Sequence, residues 1–197
     1  MGAIPSGRPD GTLEGLITVG DITKTYMNIY DSSILSKAHT QYSNIIETLE
    51  ADIVVGDADV YFDKGKVLIA AANPDLMEFY IEPHDLVILG NRYESKLCAI
   101  EMGAACTIVC EGAGVSMTIK KIAQDRGCTV ISTTYDTSTA ARLIKQSLPI
   151  SHFMPRVHHI TFNSADYTDA LRGLMASQRH RDFPILDTQA RHMGMIS

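Results

Sequence analysis

An excess of basic residues is the first thing this sequence lacks. Its 197 residues hold 17 Lys and Arg against 23 Asp and Glu, a formal net charge of -6. Nonspecific nucleic-acid binding needs a basic surface, so that class is excluded, although a local basic pocket for a small anion is not. No stretch approaches the roughly 18 apolar residues of a membrane span. The opening residues, MGAIPSGRPDG, contain no apolar run of the kind that heads a secretory signal, so the cytoplasm is the expected compartment. The four cysteines, Cys98, Cys106, Cys110 and Cys128, form no C-x-x-C pair. This argues against a zinc site and for buried, reduced thiols. There is no Trp, but a chain that is 45% hydrophobic and 20% charged has the make-up of a globular protein able to bury a core.

Catalytic signatures are missing too. No Ser–His–Asp or Cys–His arrangement can be assigned. Gly112-Ala113-Gly114 falls short of G-x-x-x-x-G-K-[ST] and lacks the third glycine of G-x-G-x-x-G, so it reads as a tight turn. Asp57, Asp59 and Asp63 do not match an EF-hand loop and read as a solvated segment. His158 and His159 would point to opposite faces of an extended stretch and share no metal.

What is present is organised around the middle, His84 to Ile150. Three short Val- and Ile-rich runs, Asp85–Leu89, Thr107–Cys110 and Thr129–Ser132, suit strands buried on both faces. Between them, Tyr93–Met102 and Val115–Arg126 have helical period. Strand and helix alternating with short Gly-containing joints predicts a parallel α/β sheet. Upstream, Leu13–Thr18 reads as a strand and Asp21–Tyr30 as a helix. Ser36–Glu50 reads as one amphipathic helix, Asp52–Gly56 and Lys66–Ala71 as strands, and Asn73–Tyr80 as a short helix. Downstream, Asp136 caps a helix over Thr137–Gln146 that ends before Pro149. An extended stretch at Val157–Phe162, a helix at Ser164–Ser177, and strands at Phe183–Leu186 and Met193–Ile196 follow.

Two stretches at opposite ends look alike: Gly15-Leu16-Ile17-Thr18-Val19-Gly20-Asp21 and Gly194-Met195-Ile196-Ser197. Gly-x-Ile-Thr/Ser-x-x-Asp resembles the strand-to-helix motif of CBS repeats. Pro149–Leu186, with Arg179-His180-Arg181-Asp182-Phe183-Pro184, resembles the front of a second repeat. The segment between is similar to a DRTGG domain, through Asp85–Arg92, Cys110-Glu111-Gly112-Ala113-Gly114 and Tyr135-Asp136-Thr137. Asn91 stands where an Asp is usual. The CBS–DRTGG–CBS order resembles the regulatory insert of family II, manganese-dependent inorganic pyrophosphatases.

That resemblance implies a three-layer α/β DRTGG domain with a parallel-rich sheet, flanked by partial CBS repeats. The expected division is a disordered or adventitious start at 1–12, the end of a first repeat at 13–30, the DRTGG domain at 31–147 and a truncated second repeat at 148–197. AMP or ADP would bind as inhibitors, and ATP or diadenosine polyphosphates as activators. Thr18, Asp21, Arg179, Arg181, Phe183 and Ser197 would form the nucleotide site. A carboxylate can accept two ribose hydroxyls, Arg suits phosphate, and a hydroxyl beside a helix N-terminus helps receive one. Lys24 reads as a surface lysine that could approach the phosphate. The resemblance also implies a DRTGG homodimer, no cofactor on this chain, and manganese only in catalytic domains that are absent. Their Asp-His-His motif is not found here, so no catalytic residue is assigned, and whether the chain is itself an enzyme stays open. Two other readings stand beside this one. They are a ligand-free dimeric DRTGG interaction module, and a small α/β enzyme using the Gly112–Gly114 turn for phosphate.

Overall fold

The computed structural model describes residues 3–27, 31–70, 74–154, 161–166, 169, 172–173 and 182–196. The chain divides into two compact units, Met1–Ile29 with Phe153–Ser197, and Tyr30–His152.

In the first unit, β1 (Ala3–Gly7) folds back antiparallel on β2 (Leu13–Thr18), with Ala3 opposite Thr18 and Pro5 opposite Leu16. Within the start expected to be disordered or adventitious, Ala3–Gly7 is thus an ordered strand. Pro5 is tolerated because a two-stranded ribbon leaves each strand with an unpaired edge. Arg8 N donates to the Thr12 carbonyl at 2.9 Å, and the Asp10 carboxylate accepts from the Thr12 amide and hydroxyl. These bonds hold the turn that Pro9-Asp10-Gly11 favours. Helix α1 (Val19–Met27) follows directly.

The second unit begins with α2 (Ile34–Lys37), β3 (Thr40–Gln41) and α3 (Tyr42–Thr48), where the apolar period predicted a single helix over Ser36–Glu50. The break lies at His39, whose φ of 50° is left-handed. Thr40 Oγ1 then donates to the Leu35 carbonyl at 2.9 Å and satisfies the end of α2. β4 (Asp52–Val55) follows, then β5 (Tyr61–Phe62), which pairs antiparallel with β3.

The centre of this unit is β6 (Val67–Ala70), α4 (Pro74–Met77), β7 (Leu86–Leu89), α5 (Tyr93–Glu101), β8 (Cys106–Val109), α6 (Met117–Arg126), β9 (Thr129–Ser132) and α7 (Thr137–Leu143). Strand order is β4-β9-β8-β7-β6. The strands β6 to β9 are mutually parallel, and β4 closes one edge antiparallel to β9. Every residue of β7 and β8 is buried. Val87, Leu89, Val109 and Val130 pack with Ile100, Ile119 and Ala123 from α5 and α6. The alternating Leu86, Ile88, Ile108 and Ile131 are equally buried, and so face the other way. The result is the three-layer, parallel-rich α/β arrangement expected.

Local signals explain the joints. Ser116 caps α6 by accepting from Ile119 N at 3.3 Å, and Gly127 ends it in the left-handed region. Asp136 accepts from Thr139 N at 2.9 Å. The expected helix over Thr137–Gln146 stops at Leu143 and tightens into a 3-10 turn, Ile144–Ser147. The entrance to β7 is tightly held. Asp85, 1% exposed, accepts from Lys66 N and Glu82 N, both at 2.9 Å. Gly65, with φ of 89°, lies against the backbone of His84 and Asp85.

The chain then returns to the first unit. β10 (Phe162–Asn163) runs parallel to β11 (Phe183–Leu186), which pairs antiparallel with β12 (His192–Ile196). A bridge from Thr12 to Arg191 ties this sheet to the β1–β2 hairpin. Most of the helix expected over Ser164–Ser177, and of the extended stretch from Val157, lies outside the described residues. No helix among the described residues is long and apolar enough to cross a membrane.

Candidate nucleotide site and a second cavity

The Thr18–Asp21 motif sits where β2 passes into α1. The Thr18 hydroxyl donates to Asp21 Oδ2 at 2.6 Å, and the Thr18 amide donates to the same oxygen at 3.0 Å. Asp21 N donates back to Thr18 Oγ1 at 3.2 Å. This reciprocal arrangement has the logic of a capping box, in which each side chain serves the other's backbone at a helix start. Both residues are half-buried, so their polar atoms are fixed in place yet within reach of solvent.

The two CBS-like ends meet within this unit. A Cβ on Gly15 would come within 2.7 Å of Met154 Sδ, so β2 packs closely under the start of the second CBS-like stretch. Phe183 is placed differently from the expectation. It is 3% exposed, with its ring edge-on to Phe162 at 5.6 Å between centroids and 70° between planes. Stacking on adenine needs an open ring face, and in this arrangement the ring of Phe183 is enclosed by packing. Pro184 is buried as well. Arg179, Arg181 and Ser197, the remaining site candidates, lie outside the described residues, as do His158, His159 and the Lys24 side chain.

In the larger unit the Gly112–Gly114 turn is already occupied by its own chain. Glu111 N donates to the Tyr135 carbonyl at 2.8 Å and Gly112 N to the Thr133 carbonyl at 2.9 Å. With these amides committed, the turn offers no phosphate cradle of the P-loop kind. Burial pushes the Cys106 thiol far up, Cys128 up to about 12 and Cys110 up to about 11. None of the three is a thiolate nucleophile at neutral pH. Asp57 accepts from Asp59 N at 2.9 Å in a local turn, and no group of three or more metal-ligating side chains is found among the described residues.

Sequence reasoning missed a cavity of about 490 Å³ at the carboxyl ends of the parallel strands. Gly90, Asn91, Arg92, Ser95, Glu111 and Thr137 line it. The signal was present in the sequence: each of the three stretches that carry the DRTGG resemblance contributes to this lining. Their separation along the chain hid the convergence.

Comparison with known proteins places these features. The family model of the DRTGG domain matches residues 44–147. The chain is 32% identical over 195 residues to a cobalt-dependent inorganic pyrophosphatase of Clostridium perfringens, covering 99% of this chain and 36% of that protein. A probable manganese-dependent inorganic pyrophosphatase of Thermotoga maritima is 25% identical over 183 residues, covering 93% of this chain and 33% of that one. The chain thus spans about a third of the length of these relatives. Among solved structures it is similar to the CBS and DRTGG domains of the regulatory region of the Clostridium perfringens pyrophosphatase, complexed with the activator diadenosine tetraphosphate. The TM-score is 0.93 at 32% identity, covering 99% of this chain and 85% of that one.

Proposed function

The chain belongs to the DRTGG family, and from that premise we propose that it is the adenine-nucleotide-sensing regulatory segment of an inorganic pyrophosphatase. The observation that carries this is the likeness, over 99% of the chain, to a regulatory region crystallised with a diadenosine polyphosphate. The Thr18–Asp21 pair supplies suitable chemistry. Asp21 accepts ribose hydroxyls, while Thr18 offers its hydroxyl beside the N-terminus of α1. Arg179 and Arg181 are the proposed phosphate partners, and Ser197 is the counterpart of Thr18 in the second repeat. AMP or ADP stabilises one arrangement of the CBS pair, and ATP or a diadenosine polyphosphate stabilises another. The catalytic domains respond to the difference in population. Diphosphate hydrolysis, and the manganese or cobalt it uses, reside in those domains, and the whole protein works in the cytoplasm.

Calorimetric titration of the full-length protein with AMP and with diadenosine tetraphosphate tests this. Saturable heat is expected, with Asp21→Ala weakening AMP by about tenfold, the effect of losing one charge-assisted hydrogen bond. Absence of heat in the full-length protein would sink the sensor reading. Pyrophosphate turnover by this chain alone, with manganese present, would sink the assignment of catalysis to other domains.

We also propose that the DRTGG unit forms a homodimer. The supporting observation is a set of exposed apolar side chains in and just after α4: Leu76 at 53%, Phe79 at 82% and Tyr80 at 65%. Phe79→Asp is expected to shift the sedimenting species from dimer to monomer with the fold intact. A variant that sediments like the parent chain places the contact elsewhere. A purely structural, ligand-free dimer would show this response and no nucleotide heat.

A further inference from the structure

Another cavity of the larger unit, about 440 Å³, lies between α3 and the segment by which the chain leaves this unit. Its volume falls in the range of small-molecule sites. One wall is a single face of α3, where Asn44, Glu47 and Thr48 follow helical spacing. The other wall is Gln146–Ile150, the end of the 3-10 turn and the residues after it, where Pro149 prevents a further helical bond. A side-chain bond joins the two walls: Asn44 Nδ2 donates to the Ser147 carbonyl at 3.2 Å.

The donors of these walls are mostly spent. Asn44 Nδ2 is engaged by Ser147, and the Ser147 hydroxyl, 2% exposed, donates to the Ile144 carbonyl at 2.6 Å. Pro149 has no N–H to give. The remaining capacity is largely that of acceptors. The Glu47 carboxylate can only accept, and the amide oxygens of Asn44 and Gln146 add to it. Among the described residues of the lining, Glu47 is the only charged one. It takes no part in the ion pairs found among the described residues, which are Lys37–Asp31, Lys66–Glu82 and Arg191–Asp187. Such a lining disfavours an anion and favours a cation that donates hydrogen bonds. Leu148, Pro149 and Ile150 add an apolar strip beside it. Ile150 is 59% exposed, so a ligand that covers it gains by removing apolar surface from water.

We propose that this cavity binds a small primary amine with a short aliphatic stem. The ammonium group donates to the Glu47 carboxylate and to the amide oxygens of Asn44 and Gln146, and the stem lies along Leu148 and Ile150. The site shares no residue with the Thr18–Asp21 motif and does not depend on the nucleotide-sensing reading.

The test is a titration of the nitrogen-15-labelled chain with n-pentylamine at neutral pH, where the amine is protonated, followed through backbone amide shifts. Saturable shifts are expected at Asn44–Thr48 and at Gln146, Ser147, Leu148 and Ile150. The alcohol 1-pentanol, with the same stem and no charge, should bind about tenfold more weakly. Glu47→Gln should weaken the amine about tenfold and leave the alcohol unchanged, and Ile150→Ala should weaken both severalfold. Asp125→Asn removes an exposed carboxylate from α6 and should not move the midpoint, which separates a site from general attraction of a cation to an acidic chain. Amides that stay still, equal binding of amine and alcohol, or a midpoint that responds alike to Glu47→Gln and Asp125→Asn would overturn the proposal.

Discussion

Gly65→Ala is expected to destabilise the larger unit by about 4 kcal/mol and to lower its melting temperature by about 10 °C. Two costs combine. Gly65 has φ of 89°, a conformation side chains rarely adopt. An added Cβ would also lie 2.6 Å from the His84 carbonyl carbon and 2.9 Å from Asp85 Cα. These are backbone atoms at the entrance to a fully buried strand, so neither can rotate aside as a flexible side chain would. Gly127→Ala is the control. Its φ of 66° carries a similar conformational cost, but nothing lies within 4 Å of the added carbon, so about 1 kcal/mol is expected. Thermal and urea unfolding followed by circular dichroism gives both values. Equal effects at the two glycines would show that the His84 contact is unimportant.

The second large effect is expected at the same junction. Asp85→Ala should cost about 3 kcal/mol, because it leaves the Lys66 and Glu82 amides without their acceptor in a buried place. Asp85→Asn should recover only part of this. One amide oxygen can still accept, but the NH2 group then faces the other donor. Urea midpoints rank the three proteins, and amide exchange at Lys66 and Glu82 reports directly on the freed donors. If Asp85→Ala keeps the parent midpoint and both amides stay protected, the carboxylate is not what holds β6 to β7.

The sheet was legible in the sequence because its strands are buried on both faces. Continuous Val and Ile runs such as Leu86–Leu89, bounded by Asp85 and Gly90, admit few other readings. The break at His39 was not legible. A left-handed histidine leaves no mark of the kind a glycine would, and the apolar spacing continues across it. Strand β1 was hidden because AIPSG has low strand propensity and gains its place by pairing with β2. Thr18 and Asp21 were found through a local motif, and their contact spans only three residues. The packing of Phe183 was not legible because its partner, Phe162, is remote in sequence and only the fold reveals that the ring is enclosed. Ser95 and Glu111 were missed for the converse reason. Each is unremarkable within its own segment, and the cavity they line exists only where the ends of several strands converge.

The antiparallel edge strand has a consequence for synthesis. β6 to β9 come off the ribosome in the order in which they pair, each beside its predecessor, with one crossover between neighbours. β4 is made before all of them, yet its partner in the sheet is β9, with Asp52 set against Ser132. During elongation β4 therefore waits, with Val54 and Val55 unshielded, until the last strand emerges. This is the interval in which a chain of this topology is most exposed to mispairing and to chaperone capture.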